Sequence, residues 1–324
     1  MKKALTDTLE RWTISVIVPM YNEAENVENT VTRIVSILNE QYKDWELVIV
    51  DDGSSDSTLQ IAQNLALKNP RIKVFQHPRN LGYGQALRTG FRNAKGDVIV
   101  TIDADLSYDP RNIIALVDTL KKSDGDIVLG SPYAKGKVTG VPIHRLIISK
   151  LGNMILGYVL KSNIRTFTGI LRAYNKESLD CLDLRSNGKE IEPEIIAKAI
   201  AMGFELIEIP AELRGRERGA SKFSARKIVT SHLKFSLEQR PLILFIFVSM
   251  ILFMLGFAIS LYLIYELFFL GLGIMRPILI LGAILIISGV QTFMFGFMSD
   301  QLSLLRDQLS LLRREIRERT LHRK

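Results

Sequence analysis

Two aspartates, Asp103 and Asp105, are the residues of this 324-residue chain whose spacing most clearly suggests chemistry. They follow an apolar run, 97–102, that has the composition of a buried strand. Alternate residues of a strand point the same way, so an extended chain past Ile102 would bring both carboxylates to one site. At about 5 Å and an effective dielectric near 20 their repulsion is roughly 3 kcal/mol, which favours either a protonated pair or a bound cation. Because magnesium is commonly held by one or two carboxylates plus substrate phosphates, the pair predicts a metal that carries a diphosphate.

Two other strand-like runs end in polar residues. Tyr21 and Glu23 follow the first run, and Asp52 follows the second. Tyr21 can stack on a base, and Asp52 can accept hydrogen bonds from a base or a ribose. The alternative for Asp52 is a helix cap, and the alternative for the aspartate pair is a polar turn before a helix. The glycines of the segment 79–84 favour either a backbone that approaches a phosphate or a plain tight turn.

These polar residues meet only if their strands are parallel, and parallel strands need helices between them along the chain. Over the first 215 residues strand-like and helical patterns do alternate, and Val27, Val31, Ile34 and Leu38 share one face of a helix predicted over 23–41. Such alternation predicts an α/β fold with a mostly parallel sheet, whose ligands bind beyond the carboxyl ends of the strands. The predicted strands are 14–18, 46–50, 72–75, 97–102, 126–129 and 204–209.

Five segments, taken in order, resemble glycosyltransferase family 2, and most closely its polyprenyl-phosphate (dolichyl-phosphate) hexose synthases. The resemblance covers residues 12–225, and it implies a nucleotide-binding GT-A fold. It also implies inverting transfer of a hexose to a polyprenyl phosphate from a nucleotide sugar of the GDP-mannose or UDP-glucose type. The segments are 15–23 (SVIVPMYNE), 48–54 (VIVDDGS), 80–84 (NLGYG), 103–105 (DAD) and 216–222 (RERGASK).

The resemblance assigns roles to individual residues. It implies that Asp103 and Asp105 bind a divalent metal, Mg²⁺ or Mn²⁺, and that Arg216 acts with them in catalysis. With Ala104 they would hold the donor diphosphate, over which Arg216 and Lys222 would close. The residues that it implies around the nucleotide are Pro19, Tyr21, Glu23, Val50 and Asp52.

A short helical segment contains the residues predicted to bind the acceptor. Arg145 and Ser149 are four residues apart and so share a helix face. The resemblance implies that this pair binds the acceptor phosphate, and the alternative is a surface arginine beside a packed serine. The chain also departs from its relatives, with Pro132 where an arginine is common and Ser107 where a glutamine is common.

No residue stands out as a general base. A phosphate acceptor is already anionic near neutral pH, so it requires little base catalysis. Glu192 and Glu194 are weak candidates for that role, and stabilisation of a helix N-terminus explains them better.

Two uncharged runs, 242–265 and 277–299, are each long enough to cross a bilayer as a helix. Basic residues concentrate before the first run and after the second, whereas the connection between them contains only Arg276 beside Glu266. The positive-inside rule therefore predicts that the N-terminal domain and both termini are cytoplasmic, at the plasma (cytoplasmic) membrane.

Charge and composition narrow the choice of partner, disulfide bonds and metal clusters. The net charge of +8 is concentrated beside the apolar runs, which favours an anionic membrane surface as partner over nucleic acid. The single cysteine, Cys181, excludes an intramolecular disulfide bond. The four histidines are too scattered in the sequence to predict a metal cluster.

The C-terminal tail contains a repeated heptad, DQLSLLR, at 300–306 and 307–313. Leu302, Leu305, Leu309 and Leu312 fit its a and d positions, which predicts either a homo-oligomer or an amphipathic helix on the membrane. The predicted order is a GT-A domain, a basic juxtamembrane helix, a membrane hairpin and this tail. Their limits are 1–225, 226–240, 241–299 and 300–324.

Two other functions remain open from the sequence. The chain could glycosylate another membrane lipid such as diacylglycerol. It could also be a non-catalytic scaffold that binds a nucleotide sugar, although its intact acidic and basic motifs argue against a dead enzyme.

Overall fold

The computed structural model describes residues 12–123, 125–134, 136–160, 162–215, 241–270 and 276–321. The chain divides into two units, Met1–His232 and Leu233–Lys324. Strands of the first unit are β1 (Ile14–Met20), β2 (Trp45–Asp51), β3 (Ile72–Gln76), β4 (Val98–Thr101), β5 (Ile127–Ser131), β6 (Val138–Thr139), β7 (Arg172–Asn175), β8 (Leu206–Pro210) and β9 (Leu213–Arg214). Its helices are α1 (Val27–Gln41), α2 (Thr58–Lys68), α3 (Tyr83–Asn93), α4 (Asn112–Lys122), α5 (Ile143–Leu160), α6 (Lys176–Cys181) and α7 (Ile191–Ala201).

Within the described residues, seven strands form one sheet in the order β3-β2-β1-β4-β7-β5-β8. Six strands run in the same direction and β7 runs against both of its neighbours. β1, β2 and β4 are almost wholly buried, which explains why they are continuous apolar runs rather than alternating ones. The predicted α/β fold with a mostly parallel sheet is confirmed.

The order of the strands reverses between β1 and β4. From β1 the chain moves outward through β2 and β3, and it returns to the other side of β1 with β4. The loops that follow β1 and β4 therefore lie at the topological switch point, where sheets of this kind bind ligands.

Helix α1 covers this sheet with the apolar face that the sequence predicted. Val27, Val31, Ile34 and Leu38 are all buried. The helix begins at Val27 rather than at residue 23, because residues 21–26 form the loop after β1.

The structure differs from the sequence prediction after β4 and in three short strands that were not predicted, β6, β7 and β9. β7 was not predicted, because it is short and begins with the charged Arg172. The condition of an extended chain past Ile102 is not met: β4 ends at Thr101, residues 104–105 form a turn, and Leu106 after them has a φ of 56°, in the left-handed region. The aspartate pair therefore lies in a turn.

Helix α5 has one exposed apolar face. Six apolar side chains recur every three or four residues, which places them on one side of the helix. Ser149, Asn153 and Leu156 lie on the opposite side, where Leu156 is fully buried. The exposed side chains are Ile143, Ile147, Leu151, Met154, Ile155 and Tyr158.

The second unit contains α8 (Pro241–Tyr265), a π-helical turn (Glu266–Leu270) and α9 (Arg276–Leu321). Two segments, Phe245–Phe269 and Pro277–Leu302, are long and apolar enough to cross a membrane. The two helices pack closely, since a Cβ on Gly256 would lie 2.9 Å from the carbonyl oxygen of Gly282. The predicted tail continues α9 without a break as far as Leu321.

Candidate active site

A cavity of about 490 Å³ opens at the carboxyl ends of β1 and β4. Three segments that are far apart in the chain contribute to its wall: the loops after β1, β2 and β4. Seven of the residues predicted for donor and metal line the cavity: Pro19, Tyr21, Glu23, Asp52, Asp103, Ala104 and Asp105.

A tight turn after β4 holds the aspartate pair. The Ala104 carbonyl accepts a hydrogen bond from Thr30 Oγ1 of α1 at 2.6 Å. Asp105 Oδ1 accepts a hydrogen bond from the backbone N–H of Ser107 at 3.0 Å. Asp103 and Asp105 are both half-buried and both border the same cavity. The two carboxylates therefore share one site although the strand ends before them.

Asp52 supports the loop that forms another wall of the cavity. Its two carboxylate oxygens accept hydrogen bonds from the backbone N–H groups of Leu81 and Gly82, each at 2.9 Å. His77 Nδ1 lies 2.7 Å from Asp52 Oδ1. Gly82 has a φ of 102°, a conformation that favours glycine. The hydrogen bonds of Asp52 go to this loop and not to the start of α2, so Asp52 is not a helix cap.

The loop after β1 is tied to the loop after β2. The backbone N–H of Asn22 donates to Ser54 Oγ at 2.8 Å, and Asn22 Oδ1 accepts from the N–H of Ser55 at 2.7 Å. Asn22 itself is in the left-handed region, with a φ of 52°. These contacts leave the ring of Tyr21 exposed at the cavity, where a base could stack on it.

Five other predicted site residues are not among the described lining of this cavity, and one of them, Ser149, lines a second cavity. Val50 is fully buried in β2. Arg216 and Lys222 lie outside the described residues. Arg145 belongs to α5, and its side chain lies outside the described part of the structure.

A second cavity of about 160 Å³ adjoins the first. Ser149, which the sequence predicted for the acceptor, lines it and accepts a hydrogen bond from the Tyr133 hydroxyl at 3.0 Å. Further hydroxyl groups in its wall come from Tyr108, Thr166 and Thr168. The residues that line both cavities are Tyr83, Asp103, Lys189 and Leu213.

A buried ion pair lies behind this second cavity. Arg172 Nη1 of β7 lies 2.9 Å from Glu192 Oε2 of α7, and both residues are almost inaccessible to solvent. Arg172 Nη2 donates to the Phe167 carbonyl at 2.8 Å, and the Tyr83 hydroxyl donates to Glu192 Oε1 at 2.5 Å. The pair therefore joins a strand, a helix and the tyrosine that borders both cavities.

Burial raises the pKa values of Glu192 and Tyr83. It raises the pKa of Glu192, against the lowering effect of Arg172. Burial and then the charge of Glu192 raise the pKa of Tyr83 well above its ordinary value. Tyr83 therefore keeps its proton and remains a hydrogen-bond donor near neutral pH.

The donor set around Asp103 and Asp105 fits a divalent cation of the hard, oxygen-binding kind. Among the described residues no group of three His, Cys, Asp or Glu side chains is close enough to hold a metal alone. Two carboxylates that complete their shell with phosphate and water oxygens suit Mg²⁺ and similar ions. Ser107, at the position where the family resemblance leads one to expect a glutamine, also lines the cavity and adds a hydroxyl group.

Sequence reasoning did not single out several residues of the site. Lys189 and Arg214 line the first cavity, and Arg172 anchors the wall of the second. Arg214 lies only two residues before the basic motif 216–222, which was a usable signal. Lys189 and Arg172 gave no local signal, because their partners come from distant parts of the chain.

The mostly parallel sheet, with a cavity and an aspartate pair at its switch point, together with the family match of the sequence, defines a GT-A-like glycosyltransferase domain. Residues 15–183 match the family model described as Glycosyl transferase family 2, so the chain belongs to that family. The predicted family is thereby confirmed; the match includes the first four of the five sequence segments, and the fifth, 216–222, lies beyond it.

Two relatives illustrate the similarity. The chain is 36% identical to a dolichol-phosphate mannosyltransferase of Pyrococcus furiosus over 66% of this chain and 60% of the relative. It is 26% identical to a dodecaprenyl-phosphate galacturonate synthase of Rhizobium johnstonii over 93% of this chain and 90% of the relative. The match thus spans less than two thirds of the Pyrococcus furiosus protein. Both names contain a prenol phosphate and a sugar.

A solved structure supports the fold. A glucosyl-3-phosphoglycerate synthase of Mycobacterium tuberculosis, in complex with Mn²⁺, UDP and phosphoglyceric acid, superposes with a TM-score of 0.55. The likeness covers 73% of this chain and 82% of that chain at 20% sequence identity. At this identity it establishes the GT-A-like fold alone.

Proposed function

We propose that the protein transfers a hexose from a nucleotide sugar, of the GDP-mannose or UDP-glucose type, to a polyprenyl phosphate. An oxygen of the acceptor phosphate attacks the anomeric carbon of the sugar. The bond from that carbon to the donor diphosphate breaks, and nucleoside diphosphate leaves. A single displacement of this kind inverts the anomeric configuration.

The first cavity supports the donor part of the proposal. Its volume of about 490 Å³ lies within the range typical of small-molecule sites, which is roughly 300–1,000 Å³. Tyr21 offers an exposed ring for a base, and Asp52 borders the cavity from the supporting loop. The names of the two relatives do not specify a donor base, so both donor types enter the test.

Asp103 and Asp105 support a metal-dependent reaction. They would bind Mg²⁺ or Mn²⁺ together with the donor diphosphate, with Ser107 close by. When bound, such an ion stabilises the negative charge that develops on the leaving diphosphate. Arg216 and Lys222, which lie outside the described residues, are proposed as the cations that close over the same phosphates.

Helix α5 carries the acceptor part of the proposal. One side of this helix exposes six apolar side chains, and its other side brings Ser149 to the hydroxyl-lined second cavity. That cavity shares Asp103 with the donor cavity. An acceptor with an apolar chain and a phosphate headgroup matches this combination, because its two parts need an apolar surface and a polar cavity. Arg145, on the same helix, is proposed to bind the phosphate with Ser149.

The two glutamates considered as candidate general bases, Glu192 and Glu194, both have partners, which supports a reaction without a strong general base. Glu192 is already paired with Arg172 and hydrogen-bonded by Tyr83. Glu194 accepts hydrogen bonds from the backbone of Ser186 and from Lys198. An acceptor phosphate is anionic near neutral pH, so its oxygen needs no deprotonation.

The membrane part of the proposal comes from the second unit. Its two apolar helices are proposed to anchor the protein in the plasma membrane, with the catalytic domain and both termini on the cytoplasmic side. The basic residues that flank the apolar runs in the sequence support this orientation. A polyprenyl phosphate stays in the bilayer, so an anchored enzyme meets its acceptor there.

The test is an incubation of membranes that contain the full-length protein with sugar-labelled GDP-mannose or UDP-glucose and a divalent metal. Polyprenyl phosphate is the acceptor in one series and diacylglycerol in the other. We expect a lipid product from polyprenyl phosphate that mild acid hydrolyses. Product from diacylglycerol alone would contradict the proposal in favour of another lipid, and donor binding without transfer would contradict it in favour of a scaffold.

A further inference from the structure

Lys189 lies at the boundary between the two cavities, just before α7. It lines both of them. Among the described residues that line the second cavity, it is the only cationic side chain. Asp103 and Glu192 line the same cavity with carboxylates. An anion that enters this cavity therefore needs a compensating cation, and Lys189 is the described side chain that supplies it.

Contacts with the start of α3 fix the loop that carries Lys189. The backbone N–H of Gly84 donates to the carbonyl of Asn187 at 2.6 Å. A Cβ on Gly84 would lie 2.5 Å from the Ser186 carbonyl oxygen, so the loop and the helix fit together only because residue 84 is glycine. The position of Lys189 is therefore set by packing on both sides of the loop.

The ring of Tyr83 supports the lysine side chain. Lys189 Nζ lies 5.9 Å from the centroid of this ring, within the range of a cation–π contact. The Tyr83 hydroxyl donates to Glu192, which pairs with Arg172. The buried ion pair thus fixes the ring, and the ring positions the ammonium group at the cavity boundary.

The size and lining of the second cavity fit a phosphate headgroup. At about 160 Å³ it is smaller than the roughly 300 Å³ at which pockets for larger ligands begin. Hydroxyl groups of Ser149 and Thr168 line it, and each has one hydrogen that can be donated to a phosphate oxygen. A lysine ammonium is a compact charge with three donors, which suits a phosphate monoester.

We propose that Lys189 binds the phosphate of the lipid acceptor in this second cavity. The inference rests on the proposed function and deepens it, because it adds a cation to the acceptor site predicted at Arg145 and Ser149. Lys189 is inferred to act on the acceptor and not on the donor, since the donor diphosphate has Arg216 and Lys222 assigned to it.

The experiment measures KM for each substrate in the full-length protein, with undecaprenyl phosphate as the acceptor probe in detergent. The variants are Lys189→Met and Lys189→Arg. Lys68→Met is the matched control, because Lys68 is exposed at the end of α2 and lines neither cavity. We expect Lys189→Met to raise the acceptor KM about 10- to 100-fold, the effect of losing one charge-assisted hydrogen bond. Its donor KM should not change, and Lys189→Arg should recover most of the acceptor affinity.

Equilibrium binding of undecaprenyl phosphate, measured by calorimetry, gives the same comparison if Lys189→Met turns over too slowly for a KM. An unchanged acceptor affinity in Lys189→Met would overturn the inference. A rise in the donor KM alone would also overturn it, since it would assign the lysine to the donor diphosphate. Failure of the unaltered protein to transfer sugar to undecaprenyl phosphate would overturn the proposed function itself, and this inference with it.

Discussion

At the scale of single residues, Asp103 and Asp105 are the centre of the proposed chemistry. Their shared cavity was predictable, because both follow an apolar run directly. The way in which they reach it was not, because the turn depends on contacts with Thr30 and Ser107 that no local pattern reveals. The local sequence thus indicated the two carboxylates but not the hydrogen bonds that hold the turn between them.

The aspartates give the first prediction. Asp105→Asn removes one charge from the proposed metal site, so sugar transfer should fall at least about 100-fold, the size of one lost electrostatic contact in a transition state. Initial rates over a range of metal concentrations measure the effect. Asp118→Asn is the control, because Asp118 is half-exposed on α4 and lines neither cavity. Equal activity of the two variants would refute the metal assignment.

At the scale of secondary structure, the strands that are buried on both faces were predictable from their apolar runs. β7 was not, because a strand that begins with a buried arginine is stable only through its partner. That partner, Glu192, lies 20 positions away on α7. The sequence showed Glu192 only as a charge near the start of a helix.

The ion pair between β7 and α7 gives the second prediction. Arg172→Met leaves Glu192 buried without its counter-ion, so the free energy of unfolding should fall by about 3–5 kcal/mol. The double variant Arg172→Met, Glu192→Gln should recover part of this loss, because it removes the stranded charge. Thermal unfolding of the full-length protein in detergent measures both. A double variant no more stable than the single one would contradict this account of the pair.

The exposed apolar face of α5 gives the third prediction. Met154→Glu places a charge in the middle of that face, so the KM for polyprenyl phosphate in lipid vesicles should rise while the donor KM stays constant. Leu67→Glu is the matched control, since Leu67 is an exposed apolar residue on α2, far from α5 in sequence. Steady-state kinetics with each substrate varied separately make the comparison. If both variants behave alike, the face has no special role in acceptor binding.

At the scale of the whole molecule, the sequence predicted two apolar helices and a helical tail, and all three are present in α8 and α9. Length and composition were enough to predict the two apolar helices, because an uncharged apolar run of about 20 residues is long enough to cross a bilayer as a helix. What the tail does stays a prediction. Its leucines at the a and d positions that are described, such as Leu305 and Leu309, are exposed and available either to a second copy or to lipid.

The tail gives the fourth prediction. If the heptads pair between copies, removal of residues 300–324 should lower the number of copies per particle in detergent, as measured by light scattering. The point variant Leu309→Ala should act in the same direction. Leu304→Ala is the control, because Leu304 is equally exposed but occupies neither the a nor the d position. An unchanged number of copies per particle would favour a helix that lies on the membrane.

The mass of the lipid product tests the central claim most directly. Full-length protein, nucleotide sugar, divalent metal and polyprenyl phosphate are incubated, and the lipid fraction is analysed by mass spectrometry. The account predicts a polyprenyl phosphate that has gained one hexose and no additional phosphate, with release of an equal amount of nucleoside diphosphate. A product that has gained a sugar phosphate, with release of nucleoside monophosphate, would contradict it.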